Sequence, residues 1–380
     1  MRTRASSVVP GLALFSLISS CLSTPPQAAR HVAGVPVMSS RFCAGCHPVI
    51  YAEHEENTHG RAFTDAEVRL ATGRFGHGDC IRCHTPRPIF ETGIGMNPLR
   101  RHHNLEEGNT CMSCHWKPDQ DYSQFRGGAE CRDAFDPRVG QVEACASCHR
   151  NHGTPYQWEL APTGKAAGRR CISCHMQRVE RPVAIGEPPR RVHSHVFPGS
   201  KNEAHIRRAY RYSAELDGNE LVVRIENKGT GHNFPTELKQ RSVESYVVVR
   251  DLAGEAVSRS RMVFRDPYKR PYGLTLPVNT QIPAGQTREH RVPLRIAQGT
   301  VDCELHFKLY FPIEDHHPDL SRLLESRRLV FAGITPSVKE VPSAPEVKVR
   351  VPEGISVEAA SPANLVDFAR PPIGEVEVRI

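Results

Sequence analysis

Apolar and polar side chains alternate most clearly in the C-terminal half of the chain. Between positions 301 and 311 every odd-numbered residue is apolar and the residues between them are polar, which is typical of a strand with one buried face. Similar runs predict strands at 221–225, 245–250, 256–264, 289–296 and 347–351. The segment 251–254, DLAG, predicts a hairpin turn.

Several short strands separated by turn signals predict an antiparallel, immunoglobulin-like β-sandwich at 211–352. A tail at 353–380 follows, with Pro-rich links and one more predicted strand at 376–380. The predicted fold class is α+β in more than one domain, because the N-terminal half follows a different pattern.

The segment 41–200 has weak apolar periodicity and frequent Gly and Pro, as in TPRP at 85–88 and GIG at 93–95. This pattern predicts short helices joined by loops. The stretch 181–200 is Pro-rich and is predicted to end the segment. Such a segment cannot bury enough side-chain surface to offset its chain entropy. A bound group must therefore supply its apolar interior.

Cysteine and histidine indicate what that group is. The chain has 20 His and 13 Cys, and most of the cysteines lie in five C-x-x-C-H motifs. The motif cysteines are Cys43, Cys46, Cys80, Cys83, Cys111, Cys114, Cys145, Cys148, Cys171 and Cys174. The histidines that complete the motifs are His47, His84, His115, His149 and His175.

C-x-x-C-H is the attachment signature of c-type haem. Both thiols bond to the haem vinyl groups, and the adjacent histidine binds the iron. A zinc ribbon needs paired C-x-x-C units without that histidine, so the five repeats predict five covalently bound haems. The segment 41–200 is therefore predicted to be a pentahaem domain whose porphyrins form the core.

The other three cysteines lead to separate predictions. Cys21 follows Ile-Ser-Ser and an apolar run that starts behind Arg2 and Arg4. This pattern predicts a lipoprotein-type signal peptide at 1–20, a lipid on Cys21 and a linker at 21–40, so we expect an exported protein at the periplasm or outer membrane. An ordinary signal peptide is the alternative. Cys303 lies on an apolar strand face and is predicted to be a buried hydrophobe, with a Cys131–Cys303 disulfide as the alternative.

The net charge of +7 does not indicate a nucleic-acid partner. No run of Lys or Arg alternates with aromatic residues, as it does on nucleic-acid-binding surfaces. The propionates of five haems would also offset much of the positive charge.

Spacers between the motifs carry further signals. CAGCHP at 43–48 is followed by THGRA at 58–62, RHH at 101–103 precedes EEGNTC, and HSHVFPG lies at 193–199. These elements resemble the cytochrome c-554 family of multihaem cytochromes. The resemblance implies that His59, His102 and His195 are distal iron ligands. His54 is a rival to His59, and His103 is a rival to His102.

The loop GTGHNFPT at 229–236 resembles one found in relatives with a C-terminal β domain. The resemblance implies that His232 is a distal ligand that docks the sandwich onto the haem domain. Gly229 and Gly231 allow a sharp turn, and Pro235 stiffens the exit. A plain inter-strand turn is the alternative. His152 is the choice for the fifth distal position, on a haem other than that of His149, because the two residues are too close in sequence.

Two axial histidines leave an iron able to exchange electrons but unable to bind a substrate. The predicted function is electron transfer, with redox proteins or quinol-linked donors as partners, a membrane contact through the lipid, and no catalytic residue. The alternative is a multihaem oxidoreductase acting on a small nitrogen or sulfur compound at one open haem. The C-x-x-C-K motif of ammonia-forming nitrite reductases does not occur in this sequence.

Overall fold

The structure, a computed structural model, describes residues 39–76, 78–116, 136–236, 241–266, 279–310, 320–336 and 376–378. The α-helices in these ranges are α1 Ser40–Ala44, α2 Pro48–Glu56, α3 Ala66–Ala71, α4 Gly78–His84, α5 Ile89–Thr92, α6 Cys111–His115, α7 Val142–His149, α8 Thr154–Leu160, α9 Cys171–His175 and α10 Glu203–Arg207. Turns of 3-10 helix lie at Leu105–Glu107, Pro137–Gly140, Arg150–His152 and Lys165–Ala167. The strands are β1 Arg178–Arg181, β2 Arg190–His193, β3 Tyr210–Asp217, β4 Glu220–Asn227, β5 Ser242–Arg250, β6 Ala256–Phe264, β7 Thr287–Pro293, β8 Gly299–Tyr310, β9 Leu320–Phe331 and β10 Val376–Val378.

Helices before residue 208 are short, as the sequence predicts, and Gly or Pro bounds several of them. Pro48 occupies the first turn of α2, where its missing N–H costs nothing. Gly93 ends α5 with a φ of +94°, which few other residues adopt. The stretch 181–200 is more ordered than its proline content indicates, because β1 and β2 pair in an antiparallel hairpin.

After residue 208 the chain forms two antiparallel sheets, with strand orders β3-β4-β7 and β10-β6-β5-β8-β9. The predicted strands correspond to β4, β5, β6, β7 and β8, and the predicted turn at 251–254 joins β5 to β6. The predicted strand at 376–380 is described over 376–378, where it pairs with β6. Strands β3 and β9 were not predicted.

Both sheets contribute to one hydrophobic core. Ile225 of β4, Val247 of β5 and Leu305 of β8 are each at most 1% exposed and belong to the same cluster. Cys303 is a buried thiol in that cluster, as predicted for a small hydrophobe. The α+β class is thereby confirmed, and the immunoglobulin-like form of the sandwich stays a prediction.

The helical region contributes almost nothing to that core. Its buried apolar residues are few and mostly small: Ala62, Ile89, Met112, Val142, Ala146, Ala161 and Ile172. None of these belongs to the cluster, which begins at Ile206.

Several predictions concern residues outside the described ranges. These are the signal peptide at 1–20, the lipid site Cys21, the proposed disulfide partner Cys131 and the strand at 347–351. Among the helices of the described ranges, none combines the length and apolar character needed to cross a bilayer.

Candidate functional site

Each C-x-x-C-H motif lies on or beside a short helix. Motifs three and five occupy α6 and α9 from end to end, and motifs two and four end α4 and α7. Residues three apart on a helical turn share a face, so the two thiols of a motif project to the same side. None of the ten motif cysteines forms a disulfide. This local geometry suits covalent attachment of one group to each motif.

The motifs also lie close to one another in space. Three pairs of thiols from different motifs are within hydrogen-bonding reach: Cys43 with Cys111, Cys83 with Cys148, and Cys145 with Cys171. Cys114 of the third motif is an electrostatic neighbour of both cysteines of the fourth. Thiol pairs therefore link motif one to three, two to four and four to five, and the third motif lies near the fourth.

Three motif histidines are oriented by a main-chain carbonyl. The Nδ1 atoms of His47, His84 and His175 lie 2.7, 2.8 and 2.8 Å from the carbonyl oxygens of Val183, Ala62 and Pro198 respectively. A carbonyl oxygen only accepts, so each Nδ1 carries the proton and Nε2 keeps its lone pair. That tautomer is the one that binds a metal through Nε2, and the hydrogen bond fixes the ring direction.

Three predicted distal histidines face three motif histidines across a regular gap. The ring centroids are 6.1 Å apart for His59 and His149, 6.2 Å for His115 and His195, and 6.4 Å for His175 and His232. A metal–nitrogen bond is about 2 Å long, and the nitrogen lies about 1 Å from the centre of its ring. Two imidazoles on opposite sides of one metal ion therefore have ring centres about 6 Å apart. These three spacings fit one metal ion between each pair of rings.

His54, the rival of His59, is engaged elsewhere. It is buried, and its Nε2 lies 2.7 Å from the main-chain oxygen of Asn109. Because the carbonyl accepts, Nε2 of His54 must donate and has no lone pair for a metal. Among the described ring contacts, His59 lies at metal-bridging distance from the motif histidine His149.

The pair His115 and His195 is neutral. Burial lowers the pKa of His195 to about 3, and the neighbouring His115 and Arg181 act in the same direction. Burial also lowers the pKa of His115, with His47 and His54 adding to the effect. Neutral imidazole is the form that binds metals.

His232 is held by a network inside its loop. The side-chain amide of Asn227 donates to the main-chain oxygens of His232 and Ile282, both at 2.9 Å, and its oxygen accepts from Thr230 at 2.7 Å. Nδ1 of His232 lies 2.8 Å from the main-chain oxygen of Asn233, so Nδ1 donates and Nε2 keeps the lone pair. The loop is therefore more ordered than a plain turn between strands.

Helix α8 of the helical region packs against this loop. The side-chain oxygen of Gln157 accepts from the Thr236 hydroxyl at 2.7 Å and from the Asn233 main-chain N–H at 3.3 Å. The hydroxyls of Thr154 and Thr236 lie 2.9 Å apart. These bonds join the segment between motifs four and five to the β region.

Two glycines allow the backbones to meet at this interface. A Cβ on Gly164 would lie 2.8 Å from the main-chain oxygen of Gly231, and a Cβ on Gly231 would lie 3.2 Å from Cα of Gly164. Side chains at these positions would push the two regions apart.

His205 lies near the fifth motif and was not predicted. Its ring is 5.0 Å from that of His175 and tilted by 53°, closer than a metal between the two rings would allow. Burial lowers the pKa of His205 to about 4, and His175 lowers it further. No local sequence signal separates His205 from the other histidines between the last motif and β3.

For the other predicted distal ligands, His152 and His102, no ring contact with a motif histidine is described. Burial lowers the pKa of His84, and the charges of His152 and His149 lower it further. His152 is therefore an electrostatic neighbour of the second motif. His102 and His103 are both exposed, and among the described contacts neither ring stacks on or hydrogen-bonds His47.

Comparison with known proteins agrees with the motifs. The doubled CXXCH motif family matches residues 138–180. A penta-heme cytochrome c552 from Thermochromatium tepidum is similar in structure, with 16% identity over 77% of this chain and 98% of that chain and a TM-score of 0.46. A Northeast Structural Genomics Consortium target is similar over 36% of this chain and 93% of its own, at 11% identity and a TM-score of 0.17. No curated protein matches the chain.

The doubled motif, together with three further C-x-x-C-H motifs in the same chain, identifies this protein as a multihaem c-type cytochrome.

Proposed function

We propose that the protein binds five c-type haems and carries electrons between redox partners. The observation that carries the proposal is the set of three imidazole pairs, spaced at 6.1 to 6.4 Å. An iron between two imidazoles has both axial positions filled, so it exchanges electrons without binding a substrate. With histidine rather than methionine as the second ligand, we expect low reduction potentials.

The proposed axial pairs follow from these positions. His59 pairs with His149, His195 with His115, and His232 with His175. His152 is assigned to the haem of His84, because the two are neighbours. The partner of His47 is assigned to His102 or His103.

Contacts between motifs support a connected path for electrons. The thiol pairs link motif one to three, two to four and four to five, and Cys114 links three to four. Porphyrins attached to neighbouring thiols would lie close together, which favours transfer between them. The proposed path runs from motif one through three and four to five, with motif two as a side branch at motif four.

The β region, proposed as an immunoglobulin-like sandwich, takes part in this path. Its loop at 229–236 supplies His232 to the fifth haem, and Gln157 and Thr154 of α8 hold that loop in place. The region therefore completes a haem site, and removing it would open one iron.

We also propose that the protein is exported and held at a membrane by a lipid on Cys21, with redox proteins or quinol-linked donors as partners. The sequence around Cys21 is the support for this proposal. Mass spectrometry of the mature protein should show five haem additions and a lipid on Cys21. A mature chain that starts after Cys21 would rule out the anchor.

The ligand assignment is tested by replacing His232 with Ala in the haem-loaded protein. Electron paramagnetic resonance (EPR) should show one iron changing from low spin to high spin, with the other four unchanged, because one imidazole is lost. His306→Ala is the control, since His306 lies on β8 and pairs with Glu304. If His232→Ala leaves all five iron signals as they were, His232 is not a ligand and the loop is only a turn.

The second candidate function, an oxidoreductase with one open haem, is favoured by a single observation. None of the described ring contacts pairs His47 with a second imidazole, and His102 and His103 are exposed. An open iron would bind a small ligand in the resting protein. Adding nitric oxide or carbon monoxide to the reduced protein tests this: a stoichiometric spectral change at one haem would favour the enzyme, and no change would favour the carrier.

A further inference from the structure

One buried asparagine connects two of the proposed distal ligands. Asn57, 4% exposed, directly follows α2. Its side-chain oxygen accepts from the main-chain N–H of His59 at 2.7 Å and of Gly60 at 2.8 Å. Its side-chain nitrogen donates to the main-chain oxygen of His195 at 2.6 Å. A single amide thus holds the backbone of two histidines that are far apart in sequence.

The backbone of His195 is also held from the other side. Its N–H donates to the carboxylate of Glu53 at 2.7 Å. Glu53 is fixed in turn by an ion pair with Arg181, at 2.7 Å, in which the Arg181 side chain is only 8% exposed. Both main-chain polar groups of His195 are therefore bound to the end of α2.

Phe197 packs against both imidazoles. Its ring centroid is 4.6 Å from that of His59 and 5.9 Å from that of His195, with edge-to-face geometry in both cases. Phe197 has a φ of +47°, a left-handed conformation that is uncommon for a bulky residue and is held only when the surroundings require it. The two histidines and Phe197 form one packed group around Asn57.

The rotation of an imidazole about its metal bond is usually fixed by a hydrogen bond from its second nitrogen. His47, His84 and His175 have such a bond. His195 lacks such a bond: its Nδ1 is buried without a partner of normal hydrogen-bond geometry among the described residues, and the main chain of His193 interacts with the ring only weakly. The main chain of His195, which Asn57 and Glu53 hold, is therefore a main constraint on its ring direction.

We propose that Asn57 is a positioning residue that orients the distal imidazoles of His59 and His195 together, and so sets the ligand fields of the haems of the third and fourth motifs. The proposal rests on the ligation proposed above. Asn57 is not itself an iron ligand in this scheme and acts through the two histidine backbones.

The test compares two substitutions in the haem-loaded protein. Asn57→Ala removes both the acceptor and the donor, so the low-spin EPR signals of two irons should shift. Asn57→Asp keeps the acceptor for His59 and Gly60 but loses the donor to His195, so only one signal should shift. The shifted signals are identified with His59→Ala and His195→Ala, each of which should convert one iron to high spin.

Asn202→Ala is the matched control. Asn202 caps α10 by accepting from the main-chain N–H of His205 at 2.9 Å, the same kind of bond at a histidine not proposed as a ligand. It should leave the signals assigned to His59 and His195 in place. Haem content by mass spectrometry checks that each variant holds five haems. If the Asn57→Ala variant loses haem, the Asn57→Asp variant alone tests the positioning role of Asn57.

The outcomes separate the two proposals. If the histidine variants each convert one iron but Asn57→Asp shifts no signal, or shifts all five equally, the positioning role is wrong and the ligation stands. If the histidine variants leave every iron low-spin, the ligation itself is wrong. A shift in Asn57→Asp confined to the signal that His195→Ala abolishes supports the role of Asn57.

Discussion

The two regions of this protein obtain their interiors in different ways. The β region buries Leu221, Ile225 and Leu305 at 0% exposure in one cluster that both sheets share. The described part of the helical region has only seven buried apolar residues, four of them Ala or Val, and none belongs to that cluster. Its helices have four to nine residues, well below the length at which an isolated helix is stable in water. The β region thus encodes its own core, whereas the helical region depends on groups attached to its cysteines.

The largest expected effect follows from withholding those groups. Produced without haem attachment, the protein should lose the fold of the described helical region, because no apolar interior remains. The β region should stay folded. Amide hydrogen exchange can check this residue by residue, with the haem-loaded protein as control. Slow exchange in α7 of the haem-free protein would show that the helical region has a core of its own.

A second prediction concerns a substitution in the core of the β region. Leu305→Ala should lower the free energy of unfolding of the β region by about 2–5 kcal/mol, because it leaves a cavity in a packed interior. Denaturant unfolding followed by circular dichroism measures the loss, while haem absorbance reports on the helical region. Leu252, 74% exposed in the β5–β6 turn, provides the control, and Leu252→Ala should change stability by less than about 0.5 kcal/mol. A loss of haem absorbance in parallel with the circular dichroism change would show that the regions do not unfold separately.

A third prediction concerns acid stability of the β region. His290 on β7 is 0% exposed and bridges the sheets through Ser260, at 2.8 Å from Nε2, and Ser245, at 3.0 Å from Nδ1. Burial lowers its pKa from 6.5 to about 4, so between these values the unfolded chain binds a proton that the folded chain does not. The free energy of unfolding should therefore fall as the pH falls through this window, by up to about 3 kcal/mol.

Denaturant midpoints of the β region across that pH window measure the effect. His290→Gln, which cannot titrate, should show a flatter profile than the natural chain. An equal slope in both proteins would mean that other groups cause the acid sensitivity.

The smallest expected effect concerns the contact between the regions. Gln157→Ala removes two hydrogen bonds to the loop of His232, which should weaken docking by about 1 kcal/mol. The EPR signal of the fifth iron should broaden, and protease should cut faster near residues 207–210. Glu159→Gln is the control on the same helix, because Glu159 pairs only with the exposed Lys165. Identical behaviour of the two variants would mean that Gln157 does not stabilise the docking.

Local patterns predicted much of the β region, and long-range contacts explain what was missed. Strand β9 was overlooked because a register shift opposite Leu305 breaks its alternation, so that Leu323 is 46% exposed and the adjacent Leu324 is buried. The β1–β2 hairpin was overlooked because its strands are four residues long and prolines lie between them.

The residues of the candidate site also fall into those recognisable from local sequence and those defined by long-range contacts. Motif residues are recognised from five consecutive positions, so the sequence alone identified them. A distal ligand is defined by a partner far along the chain, as with His59 and His149. Family resemblance indicated His59, His195 and His232, but no pattern indicated Asn57, whose role depends on a contact with His195 that only the folded chain makes.

The contrast between local and distant ligands also sets an order of assembly. Two thiols and one imidazole within five residues can capture a haem on an unfolded chain. On the proposed ligation, the second imidazole arrives only when distant segments meet, and for the fifth haem only when the β region has folded and docked through Gly164 and Gly231. Each iron thus completes its coordination as the last step of maturation, and a fully low-spin protein is one in which every segment has reached its final place.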